Sequence, residues 1–294
     1  MVKVTKGTYL GVESYEITNN KVKLVVTTGV GPRIMHFGFC DKENVLYVNQ
    51  SDFLNRADIF KFYGGHRLWH SPEHAIRTYQ RDNSQCEVEV LPLGVKVSNY
   101  ETENKIKKTM QIEMKDNGRV RIIHTIKNCS TFDYNLACWG ITQMKGGGVA
   151  VFPQDNRRSG LLPNRSIALW DYADLSDKRL TFTSNNIIIK QDPTIEKAFK
   201  IGSFNREGYL GYFNDGDLFV KEFDVSEGDY SDYGCNAEIY VNDNFLELES
   251  LSAMAEIPEN EEISHTETWE LFGNVEAPIK EKYQEMDIKE YVNA

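Results

Sequence analysis

Cysteine is scarce in this sequence and shows no spacing that would pair it. The chain has 5 cysteines in 294 residues, an odd number, and no two of them have the C-x-x-C spacing. This distribution argues against a disulfide framework and is typical of reduced thiols in the cytosol. Residues 1–6 contain no apolar segment of a secretory signal, so we expect a cytoplasmic protein.

Basic charge and long apolar runs are also in short supply. Lys and Arg number 33 against 44 Asp and Glu, which gives a formal net charge of −11. Nucleic-acid binding depends on Lys and Arg at the phosphates, so we expect no nucleic-acid partner. The basic runs 105–108 and 157–158 are short and typical of solvated strand or loop faces. No stretch approaches the ~18 apolar residues of a membrane span, so we expect no membrane partner.

Helix signals are sparse, and the periodicity is that of β-strands nearly throughout. Alternating segments at 111–114 and 120–124 flank an Asn-Gly pair, which predicts a hairpin. Segments 209–213 and 218–221 predict a second hairpin. One short amphipathic helix is predicted at 279–291, with an apolar stripe that would pack on a sheet. Many short strands separated by turns predict an all-β sandwich or barrel.

Nothing in the sequence divides the chain into parts. It has no repeat and no low-complexity linker, so we expect one domain over residues 1–294. The predicted loops around 49–80 and 144–166 are long for a plain sandwich. Long loops on a rigid β scaffold are where binding and catalytic sites are built.

The first candidate site segment is 63–74, which contains a Gly-Gly pair followed by Arg67 and Trp69. Paired glycines let the backbone approach a ligand closely. The guanidinium of Arg67 offers a planar fork of donors, and Trp69 offers an apolar face for a sugar ring. The alternative interpretation is a glycine-rich turn with one packed tryptophan, and composition alone does not separate the two.

Three of the six histidines fall in the same segment, at His66, His70 and His74. Their spacing of four would place them on one helix face and suggest a metal site. Pro72 stands between the last two and disfavours a regular helix there. We therefore expect no metal at this segment.

The second candidate is the strand segment 245–251. Side chains alternate along a strand, so Glu247 and Glu249 share one face. Two close carboxylates raise one another's pKa, and a glutamate with a raised pKa is a usable general base. The alternative is a strand with a solvated acidic face and a leucine face in the core.

The third candidate is segment 162–172, which includes Asn164 and Arg165 together with a Trp and a Tyr. This set of side chains suits a polyhydroxylated ligand. An ordered loop that fastens the sandwich explains it equally well.

Four segments, taken in order, resemble one branch of the galactose mutarotase (aldose 1-epimerase) superfamily. They are 64–69 with 72–73, 162–166 with 169–170, 233–236 leading to 245–249, and 264–271. The resemblance runs from about residue 20 to 272, and its Gly-Gly-His-Arg-Leu-Trp segment is fairly specific. It implies a large antiparallel β-sandwich, a supersandwich with a sugar bound in a cleft on one sheet, and it implies no cofactor.

The resemblance also implies roles. Mutarotases of this superfamily use a Glu base on the anomeric hydroxyl and a His acid on the ring oxygen. Glu249 is implied as the base, with Glu247 as a binding group beside it. His66 is implied as the acid or a hydroxyl ligand, and Arg67 as a binding group.

The chain departs from the superfamily pattern at Trp139, which stands where the acid histidine is expected. An indole N–H donates a hydrogen bond but does not supply a proton. Either His66 or His70 supplies the acid from another direction, or the protein binds a sugar without catalysis. Trp69 and Trp139 then serve as ring platforms. A third alternative is a structural β-sandwich whose acidic faces contact proteins. Neither the sugar nor the oligomeric state follows from the sequence.

Overall fold

The structure is a computed structural model that describes residues 1–55 and 59–292. Within those residues, almost all regular structure is β-strand. The strands are β1 (Lys3–Tyr9), β2 (Val12–Thr18), β3 (Val22–Thr27), β4 (Arg33–Phe39), β5 (His66–Ser71), β6 (Glu87–Leu91), β7 (Gly94–Glu101), β8 (Ile106–Met114), β9 (Val120–Asn128), β10 (Tyr134–Lys145), β11 (Val149–Pro153), β12 (Ala168–Leu169), β13 (Leu180–Phe182), β14 (Asn186–Lys190), β15 (Phe199–Ser203), β16 (Tyr209–Asn214), β17 (Asp217–Phe223), β18 (Ala237–Val241), β19 (Phe245–Leu251), β20 (Ala255–Ile257) and β21 (Glu262–Gly273).

Helical structure is limited to short pieces. A single α-helical turn, α1 (Gln50–Leu54), precedes β5, and two 3₁₀ turns at Lys280–Glu285 and Lys289–Tyr291 follow β21. A tight turn at Ser231–Gly234 leads into β18. Among the described residues, no helix is long and apolar enough to cross a membrane.

The strands form two antiparallel sheets. In the first sheet the order is β1-β2-β3-β4-β5-β10-β19-β18-β15-β12, with β20 also paired to β10. In the second sheet the order is β13-β14-β11-β16-β17-β21-β9-β8-β7-β6. The central strands β10 and β19 of the first sheet are neighbours although they are about 100 residues apart in sequence. Only the fold brings the residues that they carry together.

The two sheets pack face to face over one large apolar core. Leu24 and Phe37 of the first sheet and Ile122, Phe219 and Trp269 of the second are fully buried in it. The ring of Trp269 lies 5.6 Å from that of Phe37 and 5.4 Å from that of Phe219. Alternate residues of each strand supply this core, as expected for strands with one buried face. The predicted large antiparallel β-sandwich is confirmed.

Both predicted hairpins are present. β8 pairs with β9 from Met114 opposite Val120, and β16 pairs with β17 from Asn214 opposite Asp217. The first turn contains Gly118 at φ +97°. Glycine adopts this conformation without steric cost, which is why an Asn-Gly pair predicts a turn.

The predicted C-terminal helix is wrong in type, although its packing is as expected. The segment forms two 3₁₀ turns, in which residues three apart share a face. Tyr283 and Met286 have that spacing, and both are buried with Ile288 on the outer face of the second sheet. Ile279 is 62% exposed and lies outside this contact.

A chain of polar side chains crosses the buried space between the sheets. His124 Nδ1 lies 3.0 Å from the carbonyl oxygen of His265, which only accepts, so Nδ1 is the donor. His124 Nε2 then accepts from His66 Nε2 at 2.7 Å, and His66 Nδ1 accepts from the hydroxyl of Thr142 at 2.9 Å. The hydrogen bonds are satisfied with neutral imidazoles.

An ion pair completes this inter-sheet network. Lys221 Nζ lies 2.9 Å from Glu267 Oε1 and donates to the carbonyl oxygens of Gly140 at 2.9 Å and Leu248 at 3.1 Å. All four residues are inside the sandwich, and a Cβ on Gly140 would collide with Glu267 Oε1. Lys221 on the second sheet therefore holds the backbones of β10 and β19 on the first.

We expect Met286→Ala to lower the free energy of unfolding by roughly 2–5 kcal/mol, because the side chain is buried against the second sheet. The exposed neighbour Ile279→Ala should change it by less than about 0.5 kcal/mol. Urea unfolding followed by circular dichroism measures both. Equal effects of the two substitutions would contradict the docking of this segment.

Acidification should destabilise the protein through its inter-sheet histidines. Burial lowers the pKa of His265 to about 3 and also lowers the pKa values of His66 and His124. An unfolded histidine titrates near a pKa of about 6.5. Below that pH the unfolded chain binds more protons than the folded one, so the free energy of unfolding falls as the pH falls.

The variant His265→Gln tests this dependence, since a glutamine amide can still donate to Ser250 as the imidazole Nε2 does. Between about pH 6 and 4, the slope of unfolding free energy against pH should decrease by up to about 1.4 kcal/mol per unit. Above about pH 7.5 the unfolding free energies of the two proteins should change with pH in the same way, because histidine is then neutral in both the folded and the unfolded state. An unchanged acid slope would mean that His265 is charged in the folded protein.

Candidate functional site

A cavity of about 590 Å³ lies on the face of the first sheet that points away from the core. We call it the main cavity. Of the 18 described residues that line it, nine are aromatic: Tyr47, Phe62, Trp69, Tyr79, Trp139, Trp170, Tyr172, Tyr240 and Phe245. Its volume lies within the roughly 300–1,000 Å³ of typical small-molecule sites.

Strand register creates the floor of the main cavity. On β5, β10, β19, β18 and β15, side chains alternate between the core and the cavity. Residues that face the cavity stand opposite each other across neighbouring strands. These pairs are Arg67 with Ile141, Trp69 with Trp139, Gln143 with Glu247, Glu247 with Tyr240, and Tyr240 with Lys200.

Arg67 and Glu247 form one charged pair on this floor. Arg67 Nη2 donates to Glu247 Oε1 at 3.2 Å, and Gln143 Nε2 donates to the same oxygen at 2.8 Å. The guanidinium lies 4.3 Å from the ring centre of Trp69 and 5.4 Å from that of Phe62. Burial raises the pKa of Glu247, and the positive charge of Arg67 offsets only part of that increase.

Two further donors of Arg67 are buried. Its Nε and Nη1 have no hydrogen-bond acceptor among the described residues. Buried polar groups normally find a partner, so this guanidinium retains unused hydrogen-bonding capacity.

Lys200 and two carboxylates form the second charged group. Lys200 Nζ lies 2.7 Å from Glu238 Oε2 and 2.9 Å from Glu249 Oε2. It also lies 4.8 Å from the ring centre of Trp139 and 4.5 Å from that of Trp170. Burial acts to lower the pKa of Lys200, but the two carboxylates outweigh burial and raise it, so the ammonium stays charged. Burial also raises the pKa of Glu238. Both cations of the floor are thus paired with carboxylates.

Four of the residues singled out from the sequence meet in the main cavity. Arg67, Trp69, Trp139 and Glu247 all line it. Glu249 is fully buried beneath the lining, where its Oε2 accepts from Trp139 Nε1 at 2.8 Å and from Lys200. The structure therefore presents Glu247, rather than Glu249, to a ligand.

His66 and His70 lie on the other face of the sheet, which corrects the expectation that they reach the sugar. The predicted loop is a strand over β5, so every second residue turns inward. His66 joins the inter-sheet network, and His70 Nε2 contacts the carbonyl oxygen of Arg77 at 3.2 Å. Both are fully buried, and neither lines the main cavity.

Asn164 and Arg165 also lie outside the lining of the main cavity. Asn164 Nδ2 donates to the carbonyl oxygens of Asp155 and Arg157, and Arg165 Nη1 donates to that of Ser184. These contacts correspond to the alternative that the sequence left open, an ordered loop fastened to the sandwich.

Several lining residues were not predicted individually. Lys200 and Tyr240 stand on strands β15 and β18, whose alternation marks one face as polar or aromatic. Alternation alone does not say which strands become neighbours in the sheet. Trp170 and Tyr172 belong to the predicted segment 162–172, of which only Asn164 and Arg165 were named as candidate site residues.

The inter-sheet network contains a group of possible metal ligands. One ligand atom each of His66, His124 and Glu267 lies within 4.8 Å of the others. His66 Nε2 and His124 Nε2 already share a hydrogen bond, and Glu267 accepts from Ser250 and Lys221. The ammonium of Lys221 also opposes a second cation at this place. Hydrogen bonding accounts for these residues without a metal.

Sequence comparisons and structure comparisons give different results. Neither a protein-family model nor a curated protein matches the chain in sequence. Solved structures do match, at 8–11% identity for three examples. A galactose mutarotase-like protein from Clostridium acetobutylicum has a TM-score of 0.57, with 92% of this chain and 99% of that chain covered. A galactose mutarotase related enzyme from Lactobacillus acidophilus has a TM-score of 0.57, with 90% and 100% covered.

The third example is a galactose mutarotase-like protein from Lactobacillus casei, with a TM-score of 0.55 and 88% and 100% of the two chains covered. Likeness at such low identity is a statement about architecture, because one fold hosts many functions. The chain has the galactose mutarotase-like fold.

Proposed function

We propose that the protein binds a carbohydrate in the main cavity. The observation that carries this proposal is the combination of aromatic walls with a polar floor whose cations are paired with carboxylates. Aromatic rings pack on the C–H faces of a sugar, and fixed donors and acceptors orient its hydroxyls. Arg67 supplies a guanidinium, Glu247 supplies an acceptor, and Trp69 and Trp139 supply ring faces.

The pairing of the charges on the cavity floor favours a neutral sugar. Arg67 is paired with Glu247, and Lys200 with Glu249 and Glu238. A ligand hydroxyl can both donate to a carboxylate and accept from a cation, so it fits between paired charges without leaving either unpaired. A formal ligand charge would have to compete with one of these pairs.

We expect Trp69→Ala to weaken sugar binding by about 1–2 kcal/mol, because the variant removes an aromatic wall of the cavity. This corresponds to a roughly 5- to 30-fold higher Kd. Isothermal titration calorimetry with D-glucose, D-galactose and D-mannose measures it. The matched control is Phe132→Ala, which removes an exposed aromatic ring outside the cavity. If no common aldose binds the unmodified protein, the structural β-sandwich alternative replaces this function.

Interconversion of anomers is the second candidate function, and the raised pKa of Glu247 favours it. Glu247 would take the proton of the anomeric hydroxyl as the bond from C1 to the ring oxygen breaks. The ring oxygen gains a proton from a donor, the open-chain aldehyde rotates, and reclosure returns both protons. Sugar is neither oxidised nor reduced in this cycle.

This mechanism also requires a side chain that gives a proton to the ring oxygen. Apart from the carboxyl groups and the guanidinium of Arg67, the described side chains that line the cavity and carry an ionisable proton are Lys200 and four tyrosines. Burial raises the pKa values of Tyr172 and Tyr240, and the carboxylates raise that of Lys200. Each group holds its proton firmly at neutral pH, so we expect binding to be the stronger property.

For any mutarotation that the protein accelerates, Glu247→Gln should lower the rate by ~10²–10⁴, the usual cost of losing a general base. The rate in the unmodified protein should rise with pH through the raised pKa of Glu247. Polarimetry on freshly dissolved α-D-glucose and α-D-galactose measures both. Glu249→Gln is the control, since Glu249 lies beneath the lining. A rate that survives Glu247→Gln but is lost in Glu249→Gln would reverse the assignment.

A further inference from the structure

A second cavity, of about 370 Å³, adjoins the main cavity at Trp170. It is lined by Ala168, Leu169, Trp170, Asp232 and Tyr233. Trp170 lines both cavities, so the two are neighbours on one surface. We call this one the side cavity.

The outer wall of the side cavity is formed by a solvent-exposed aromatic residue. Tyr233 is 97% exposed, with φ at +61°, and the preceding Asp232 has φ at +52°. Two successive left-handed residues that are not glycine cost conformational energy. An exposed ring gains nothing from burial to offset that cost. The turn thus holds an aromatic ring at the rim of the side cavity, open to any ligand bound there.

This turn is anchored beside the main cavity. Ser71, at the end of the strand that carries Trp69, donates through Oγ to Ser231 Oγ at 2.6 Å. Ser231 Oγ in turn donates to Asp232 Oδ2 at 2.9 Å, and the amide of Cys235 donates to the Ser231 carbonyl. The backbone of the turn that carries Tyr233 is therefore held relative to the floor of the main cavity.

We propose that the side cavity binds the neighbouring ring of an oligosaccharide whose first ring occupies the main cavity. This inference rests on the proposed function. Tyr233 and Leu169 offer apolar surface for the C–H face of a sugar ring. Asp232 Oδ2 is occupied by Ser231, which leaves Oδ1 as an acceptor for a ring hydroxyl. A wall that combines one ring, one aliphatic chain and one carboxylate has the chemistry of a sugar subsite.

Isothermal titration calorimetry with matched sugars tests the proposal. The probes are maltose, cellobiose, isomaltose and laminaribiose against D-glucose, and lactose against D-galactose. At least one disaccharide should bind roughly 3- to 10-fold more tightly than its parent monosaccharide, the gain expected from one stacked aromatic contact. Tyr233→Ala should remove that gain and leave monosaccharide affinity unchanged, whereas Tyr233→Phe, which keeps the ring, should retain it.

These variants leave the fold intact, because the side chain is almost wholly exposed and alanine strains the backbone no more than tyrosine does. Monosaccharide binding without any gain for a disaccharide would overturn the side-cavity proposal and leave the proposed function standing. A disaccharide gain that survives Tyr233→Ala would overturn it as well. Failure of every monosaccharide and disaccharide to bind would overturn both.

Discussion

Lys221 and Glu267 form an ion pair in the middle of the sandwich, and the arrangement of the site depends on it. Lys221 reaches from β17 to the backbones of β10 and β19, the two central strands of the other sheet. The glycine at position 140 leaves the room for this contact. Removing one partner would leave an uncompensated buried charge, which typically costs about 3–5 kcal/mol. The two central strands of the cavity floor are thus stabilised on their core side by Lys221 as well as by apolar packing.

The first sheet separates two kinds of polar chemistry. Against its inner face, three histidines, Lys221 and Glu267 form a buried hydrogen-bonded network. On its outer face, Arg67, Lys200 and Glu247 are paired but still border the main cavity. Alternation along each strand keeps the two networks apart by the thickness of a single sheet. A carboxylate on one face therefore has a structural task, while one on the other can meet a ligand.

The sequence was informative wherever local pattern determines structure. Alternation and Asn-Gly turns predicted the β-sandwich and its hairpins, and Arg67, Trp69, Trp139 and Glu247 were identified as site residues that the structure brings together. His66 and His70 were misplaced because segment 63–74 was treated as a loop, although His66–Ser71 is a strand. Lys200 joins the site only through the order of β15, β18 and β19, and strand order is a property of tertiary packing. The C-terminal segment forms 3₁₀ turns, and Tyr283 and Met286, three residues apart, share its buried face.

The distribution of the four tryptophans gives the protein a built-in optical reporter. Trp69, Trp139 and Trp170 all line the main cavity, whereas Trp269 is sealed in the core. Indole emission responds to water and to nearby charge, so a ligand that displaces solvent from the cavity changes three of the four emitters at once. Trp269 is shielded from that change and supplies a constant background. Intrinsic fluorescence is therefore expected to change, without any label, when a ligand occupies this cavity.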